Sequence, residues 1–234
     1  MTSEATTRTL QICRSCGGGA PVDVHFCPQC TKILTLGRHG SYFEFLGVPR
    51  KLNLDTDDLE RRFRALSRQF HPDYFYNASP AERRASLERS SYLNDAYRTL
   101  KHPVSRVEYL LSVEGMNTKA EEPASSGGHG AAPPALLEEV FALNEELDEV
   151  RELREAGAPA AEWRGRLEHA REPIEARRRD HEAELLALSS RWDALLDADS
   201  REPERRPVLE ALRERMLERN YINNLLAGIE RELA

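Results

Sequence analysis

Residues 66–73 read Leu-Ser-Arg-Gln-Phe-His-Pro-Asp, and this stretch decides how the middle of the chain folds. Leu59, Phe63, Leu66 and Phe70 recur at steps of four, three and four residues, which places them on one face of a helix. The proline disfavours helical geometry at the residue before it, so the helix is expected to stop there. The stretch therefore predicts an amphipathic helix that ends in a stiff, polar turn.

The turn offers a carboxylate in a defined position. The fixed φ of Pro72 stiffens it, so that Asp73 can meet an arginine of another protein, and His71 is expected to orient the loop by hydrogen bonding. A plain helix-ending turn with a solvated aspartate is the alternative. Three arginines share another face of the preceding helix: Arg61, Arg64 and Arg68. This face is interpreted as a docking surface, and a solvated charged face without a partner is the alternative.

Further helices follow from the same periodicity. Leu87, Asn94, Tyr97 and Leu100 form a stripe on a later helix, and a long stripe occupies the last region, where Pro173 is expected to kink or break the helix. Strand-like alternation is confined to short stretches such as residues 22–26. The long stripe comprises Trp163, Leu167, Ile174, His181, Leu185, Leu188, Trp192 and Leu195.

All four cysteines lie near the start of the chain, in two Cys-x-x-Cys pairs ten residues apart: Cys13, Cys16, Cys27 and Cys30. A disulfide scaffold would spread its cysteines to join distant segments, whereas this spacing is typical of a closed, structural zinc site with four sulfur ligands. Gly17 suits the turn after the first pair, and Thr31 occupies the matching place after the second. A redox role for the pairs is the alternative. His25 and His39 are interpreted as ordinary surface histidines.

Composition narrows the function class. The chain has 234 residues, 40% of them hydrophobic and 31% charged, with a formal net charge of −7. This charge argues against general binding of nucleic acid, because a phosphate backbone favours lysine and arginine. No apolar run approaches the length of a membrane span, and residues 1–11 contain no secretory signal. A cytoplasmic protein is expected, or a mitochondrial-matrix protein if the chain is a mature eukaryotic one.

The middle of the chain resembles a J-domain. Residues 41–48, Ser-Tyr-Phe-Glu-Phe-Leu-Gly-Val, precede the arginine-rich helix and its His-Pro-Asp loop. Together with residues 66–73, residues 93–103 and 106–111 are similar to HscB, the J-protein dedicated to iron–sulfur cluster biogenesis. A tetracysteine module before the J-domain is similar to that of eukaryotic members of this family.

The resemblance implies a mainly α fold with a small zinc-knuckle or ribbon module, a J-domain helical hairpin and a C-terminal three-helix bundle. The expected boundaries are 9–34 for the zinc module, 38–114 for the J-domain, 115–134 for a flexible linker and 135–234 for the bundle. His71, Pro72 and Asp73, with the three arginines, would then bind the ATPase domain of a DnaK/HscA-type chaperone. The chain itself is not expected to be an enzyme.

The resemblance also implies that the bundle holds an IscU-type scaffold protein through Leu137, Phe141, Glu145, Glu149 and Tyr221. The first four recur every four residues and form one helix stripe. The register is open by one residue, which would substitute Leu136 or Val140. Leu137 and Phe141 could instead be bundle core, although a separate apolar stripe offers itself for that role: Leu143, Leu147 and Val150.

The function expected from the sequence is therefore that of a co-chaperone that delivers an iron–sulfur scaffold protein to its chaperone. A general J-domain co-chaperone for other clients is the first alternative. A zinc or thiol redox protein, or an iron-sensing regulator, is the alternative from another class.

Overall fold

The computed structural model describes residues 10–37, 40–116 and 137–233, which fall into two units, Met1–Val113 and Glu114–Ala234. The mainly α fold class predicted from the sequence is confirmed, with a small sheet beside the cysteines. Among the described helices, none combines the length and the apolar character needed to cross a membrane. Most of the predicted linker, and His39, lie outside the described residues.

The first unit begins with the cysteine module. Strands β1 (Leu10–Ile12) and β2 (Gly19–Pro21) pair antiparallel, with Leu10 opposite Pro21, and an isolated bridge joins Phe26 to Ile33. The two strands thus lie on either side of the first cysteine pair. The alternation had suggested a strand at residues 22–26, and this prediction is wrong except for the bridge at Phe26. Among the described residues, the module's small buried cluster consists of Cys13, Ala20, Cys27 and Leu34.

Four helices complete the first unit. Helix α1 spans Tyr42–Leu46, α2 Thr56–Phe70, α3 Pro80–Lys101 and α4 Pro103–Val113, and a short 3₁₀ helix covers Pro72–Phe75. Asp55 caps α2 by accepting the N–H groups of Asp57 and Asp58, at 2.9 and 3.2 Å. A capping box of Ser79 and Glu82 starts α3, because each side chain accepts a backbone N–H of the other residue.

Helices α2 and α3 form an antiparallel hairpin. Phe63 stacks on Tyr97 at 4.2 Å between ring centroids, whereas Phe70 lies seven residues later on α2 and contacts Ser86 and Ser90, which come earlier on α3. Helix α1 packs against both, and α4 against α3. The shared core is apolar and holds Phe43, Phe45, Leu46, Leu59, Phe70, Leu93, Ala96, Leu100, Val107, Leu110 and Leu111.

The predicted stripe on α3 is partly wrong. Leu100 is fully buried as expected, but Leu87 is 58% exposed and Asn94 is also exposed. The face that packs inward is shifted around the helix and contains two polar side chains, including an arginine that no hydrophobic pattern would select. Its buried residues are Ala85, Ser86, Arg89, Leu93, Ala96 and Leu100.

The described part of the second unit contains three helices, α5 (Leu137–Glu155), α6 (Ala160–Asp197) and α7 (Glu202–Leu233). Helix α6 continues through Pro173 without a break in the helix assignment. The long stripe on α6 packs largely inward, and Trp192, Leu167 and His181 are among its buried members. One part of the core, where all three helices meet, contains Leu143, Leu147, Val150, Leu167, Ile174, Ile222, Leu226 and Ile229.

Candidate functional site

The four cysteine side chains converge on one point. All four sulfur atoms lie within 4.8 Å of one another. The Sγ atoms of Cys13 and Cys30 are 3.7 Å apart, as are those of Cys16 and Cys27. A metal ion bound tetrahedrally to four sulfurs at about 2.3 Å would separate the sulfurs by about 3.8 Å. The cluster therefore has the size of a four-sulfur metal site.

Two nearly identical turns hold the sulfurs. In the first, the Gly17 N–H donates to the Cys13 carbonyl at 2.9 Å, and in the second the Thr31 N–H donates to the Cys27 carbonyl at the same distance. Both residues have left-handed backbone, with φ of 74° for the glycine and 58° for the threonine. The second turn thus repeats the first with a residue that is strained in this conformation.

The thiols already differ in acidity. The backbone N–H of Cys30 is the main influence on the pKa of Cys27; burial opposes it and the Gln29 N–H reinforces it, which lowers this pKa to about 7. For Cys16, the Gly18 N–H lowers the pKa, but hydrogen bonds with Cys30, burial and the remaining thiols outweigh it and raise the pKa to about 12. Four thiolates this close together would repel one another, so holding all four deprotonated requires a cation among them, and a coordinating metal deprotonates its thiols.

The His-Pro-Asp loop follows α2 directly. His71 has extended backbone (φ −56°, ψ 126°), which ends the helix before Pro72. Its Nδ1 accepts the N–H of Asp73 at 3.3 Å, so the ring holds the turn from within. The Asp73 side chain is 87% exposed, and its Oδ2 lies 3.5 Å from the same His71 nitrogen. The loop has the geometry expected for presenting a carboxylate to a partner.

A shallow cavity of about 270 Å³ adjoins the loop and is lined by Ser67, Arg68, His71, Asp73 and Tyr74. Arg68 therefore lies beside the loop. Tyr74 and Tyr76 are largely exposed, and the sequence reading did not single them out. The sequence signal that could have identified them is the aromatic run Tyr-Phe-Tyr at residues 74–76, directly after the His-Pro-Asp triplet. Aromatic side chains are enriched in protein interfaces.

The other two predicted arginines lie on the exposed surface of α2. Arg61 pairs with Asp58 at 2.9 Å, and Arg64 pairs with Glu60 one turn before it. Arg62 also pairs with Asp58 and donates to the Gly47 carbonyl, so it ties α2 to the end of α1. Arg61 and Arg64 are thus the more accessible charges, while Arg62 takes part in the hairpin's structure.

The cysteine module rests on the helical hairpin, which the sequence did not reveal. Arg89 of α3 is completely buried, and its guanidinium donates to the carbonyls of Leu34 and Thr35 at 2.7 and 3.1 Å. Burial lowers its pKa to about 10, although it keeps its charge at neutral pH. The description of His25 as a surface histidine is wrong, because its ring contacts Arg89 and two buried phenylalanine rings.

In the second unit, Phe141 is 66% exposed on α5, and Glu145 and Glu149 are exposed on the same side. Glu149 is not free, since it pairs with Arg166 of α6, which also binds Glu146. Tyr221 is half-buried and packs against the core. The side chain of Leu137 and all of Leu136 lie outside the description, and Val140 is half-buried.

A helical hairpin closed by an exposed His-Pro-Asp loop defines the J-domain class of proteins, and the family model described as DnaJ domain matches residues 41–109. Residues 41–109 thus match the J-domain family. Over nearly its whole length the chain is similar to a crystal structure of the human co-chaperone protein HscB. The sequence identity is 24% and the TM-score 0.62, and the match covers 94% of this chain and 97% of that one.

The chain is also similar to the chaperone HscB from Vibrio cholerae, with 28% identity and a TM-score of 0.53 over 82% of this chain and 96% of that one. The HscB-like fold predicted from the sequence is therefore confirmed. The four cysteines are positioned to bind a metal ion.

Proposed function

We propose that this chain is a co-chaperone that stimulates ATP hydrolysis by a DnaK/HscA-type chaperone. The observation that carries the proposal is the exposed carboxylate of Asp73 in a turn held by Pro72 and the His71 ring. An exposed carboxylate in a preset position can form a charge-assisted hydrogen bond with a partner's arginine without first ordering the loop. The ATP chemistry belongs to the partner.

The arginines of α2 supply the attraction that brings the two proteins together. Within the described part of the chain, Arg61 and Arg64 pair with acids of their own helix, and their side chains are about two-thirds exposed. Surface pairs of this kind contribute little stability, so exchanging them for acidic groups of a partner costs little. Arg68 lies at the loop itself and completes the surface. Such charges chiefly raise the association rate and make it sensitive to salt.

The decisive experiment compares Asp73→Asn with the unchanged chain in single-turnover ATP hydrolysis by the purified chaperone. Stimulation should be abolished, because the amide cannot replace the charged acceptor. Asp95→Asn, which changes an exposed aspartate on α3, is the matched control and should stimulate normally. Stimulation retained by Asp73→Asn would contradict the proposal.

We also propose that the metal in the cysteine module is zinc in a structural role. Four soft thiolates in a tetrahedral arrangement suit zinc, and they leave no coordination position for a substrate. Bound metal would hold the two turns together where the module's buried cluster is too small to do so. Metal analysis of the purified chain tests this: about one zinc per chain is expected, and iron in its place would favour an iron-sensing role.

For the client, we propose an IscU-type iron–sulfur scaffold protein bound by α5. Leu143, Leu147 and Val150 are buried in the bundle, which leaves the face with Phe141 and Glu145 to a partner. An exposed aromatic side chain among carboxylates fits a partner surface with an apolar pocket and basic residues around it. The proposed surface includes Glu149, and the resemblance would add Leu137, whose side chain lies outside the described residues, and Tyr221, which packs on the bundle core.

Calorimetry with a purified scaffold protein tests the client. Phe141→Ala should weaken binding at least about tenfold, because a buried aromatic anchor is worth more than about 1.4 kcal/mol at an interface. Leu186→Ala is the matched control, since Leu186 is an equally exposed apolar residue on α6. For Tyr221 the conservative change to phenylalanine is preferable, because its ring packs on the core. Unchanged affinity in Phe141→Ala would favour a general co-chaperone for other clients.

A further inference from the structure

Arg89 is the most unusual polar group in the first unit. It lies fully buried on α3, and its described hydrogen-bond partners lie in the cysteine module or directly after it: the Leu34 and Thr35 carbonyls and the His25 ring nitrogen at 2.8 Å. A guanidinium only donates hydrogen bonds, so Nδ1 of His25 must accept. A buried cation is costly unless its donors are satisfied. The module therefore supplies the groups that allow this charge to remain inside the protein.

The same side chain reaches the end of α2. The Arg89 guanidinium lies over the Phe70 ring, 5.7 Å from its centroid, and the Phe70 carbonyl accepts the hydroxyls of Ser86 and Ser90 at 2.6 and 3.0 Å. Phe70 immediately precedes the His-Pro-Asp loop. The His25 ring meets Phe70 edge-on at 4.9 Å, so module and arginine enclose the ring together. The position of Phe70 thus depends on both.

A second contact joins the module to the far end of the loop. Lys32, two residues after the last cysteine, pairs with Glu82 at 2.9 Å. Glu82 belongs to the capping box that starts α3. The loop between α2 and α3 is therefore bounded by module contacts at both ends, at Phe70 before it and at Glu82 after it.

We propose that metal occupancy of the cysteine module is transmitted through Arg89 to the His-Pro-Asp loop, which makes Arg89 a positioning residue for co-chaperone activity. The proposal rests on the function proposed above. Without metal the module retains too small a core to keep its backbone in place, and the two carbonyls move away from the guanidinium. The arginine, left without partners, must move toward water, and Phe70 and the loop move with it.

The test uses the full chain, zinc-loaded and after removal of zinc by a chelator, with the backbone amide signals of His71, Asp73 and Tyr74 followed by NMR. In the unchanged chain these signals should shift on metal removal. ATPase stimulation should fall at least about fivefold, since coupling between sites usually corresponds to about 5- to 150-fold. In Arg89→Met both responses should be largely lost, while zinc stoichiometry and helix content stay unchanged.

Arg83→Met is the matched control. Arg83 lies on the same helix and donates to the loop carbonyls of Tyr76 and Ala78, at 3.4 and 3.2 Å. This variant should disturb the loop yet keep its full response to metal. Should Arg89→Met fail to fold, Arg89→Lys decides the question, because a single ammonium cannot reach all three partners and the metal response should be reduced.

Loop signals that ignore metal removal in the unchanged chain would overturn the proposal. So would a metal response in Arg89→Met or Arg89→Lys equal to that of the unchanged chain. Failure of the proposed function looks different: the zinc-loaded, unchanged chain would then stimulate no chaperone ATPase, although its loop signals would still report the coupling.

Discussion

Replacing Gly17 by alanine should weaken metal binding without touching a ligand. Gly17 has φ of 74°, and an added Cβ would meet nothing within 4 Å, so the cost comes from the backbone alone. A residue with Cβ in left-handed geometry is destabilised by roughly 1–2 kcal/mol. In the proposed coupling of module folding to metal binding, this energy appears in the affinity. We expect zinc affinity to fall about 5- to 30-fold.

Competition with a chromophoric chelator at fixed pH measures this ratio. Gly19→Ala is the control in the same module: its Cβ would lie an ordinary 3.7 Å from Leu10, and its affinity should change by less than about twofold. Thr31→Gly is the reverse experiment in the second turn. It should tighten binding, by less than Gly17→Ala weakens it, because the hydroxyl bond to the Cys30 carbonyl is lost. Wild-type affinity in Gly17→Ala would refute this reasoning.

Two further predictions concern stability. Arg106 is buried and donates to the carbonyls of Leu100 and Leu52. Arg106→Met should therefore lower the free energy of unfolding, measured by urea denaturation, by about 3 kcal/mol. The control is Arg98→Met at an exposed position of α3, and a loss in Arg106→Met no larger than in this control would contradict the prediction. Arg62, and then Arg61, hold the pKa of Asp58 below its ordinary value of 3.8. The stability this gives is present above that value and lost as pH falls through the lower, folded pKa, so the difference between the unchanged chain and Asp58→Asn should shrink on acidification. A difference that stays constant from pH 6 to pH 2 would argue against the pairing.

Much of the fold could be predicted because its signals are local. Leu59 and Phe70 recur with helical spacing, Pro72 ends the helix, and the cysteine spacing sets the two turns. Burial of Arg89 could not be predicted this way, since its partners lie more than 50 residues away and are carbonyl groups, which have no sequence signal. For the same reason the role of His25 was missed. The buried face of α3 was assigned to the stripe with Leu87, because the polar residues Ser86 and Arg89 of the true buried face give no apolar signal.

In the proposed sites, too, local features could be predicted and features that depend on packing could not. The position of Asp73 follows from Pro72 and His71 directly before it, so its exposure could be predicted from the His-Pro-Asp triplet alone. The pairing of Glu149 with Arg166 was not, because it depends on how α5 and α6 pack. Pro173 was expected to kink or break α6; the helix is not broken there, and Leu167 and Ile174 on either side of the proline are buried in the core.

The use of carbonyl oxygens by Arg89 and Arg106 has a consequence for how this protein can vary. Every residue has a carbonyl, so a substitution at Thr35 or Lys101 leaves the acceptor in place. The hydrogen bonds of the two arginines to these carbonyls therefore depend on the position of the backbone and hardly on which side chains it carries. Among related chains we expect both arginines to persist while the residues whose carbonyls they bind vary freely, and only His25, whose ring nitrogen Arg89 also binds, should vary together with its arginine.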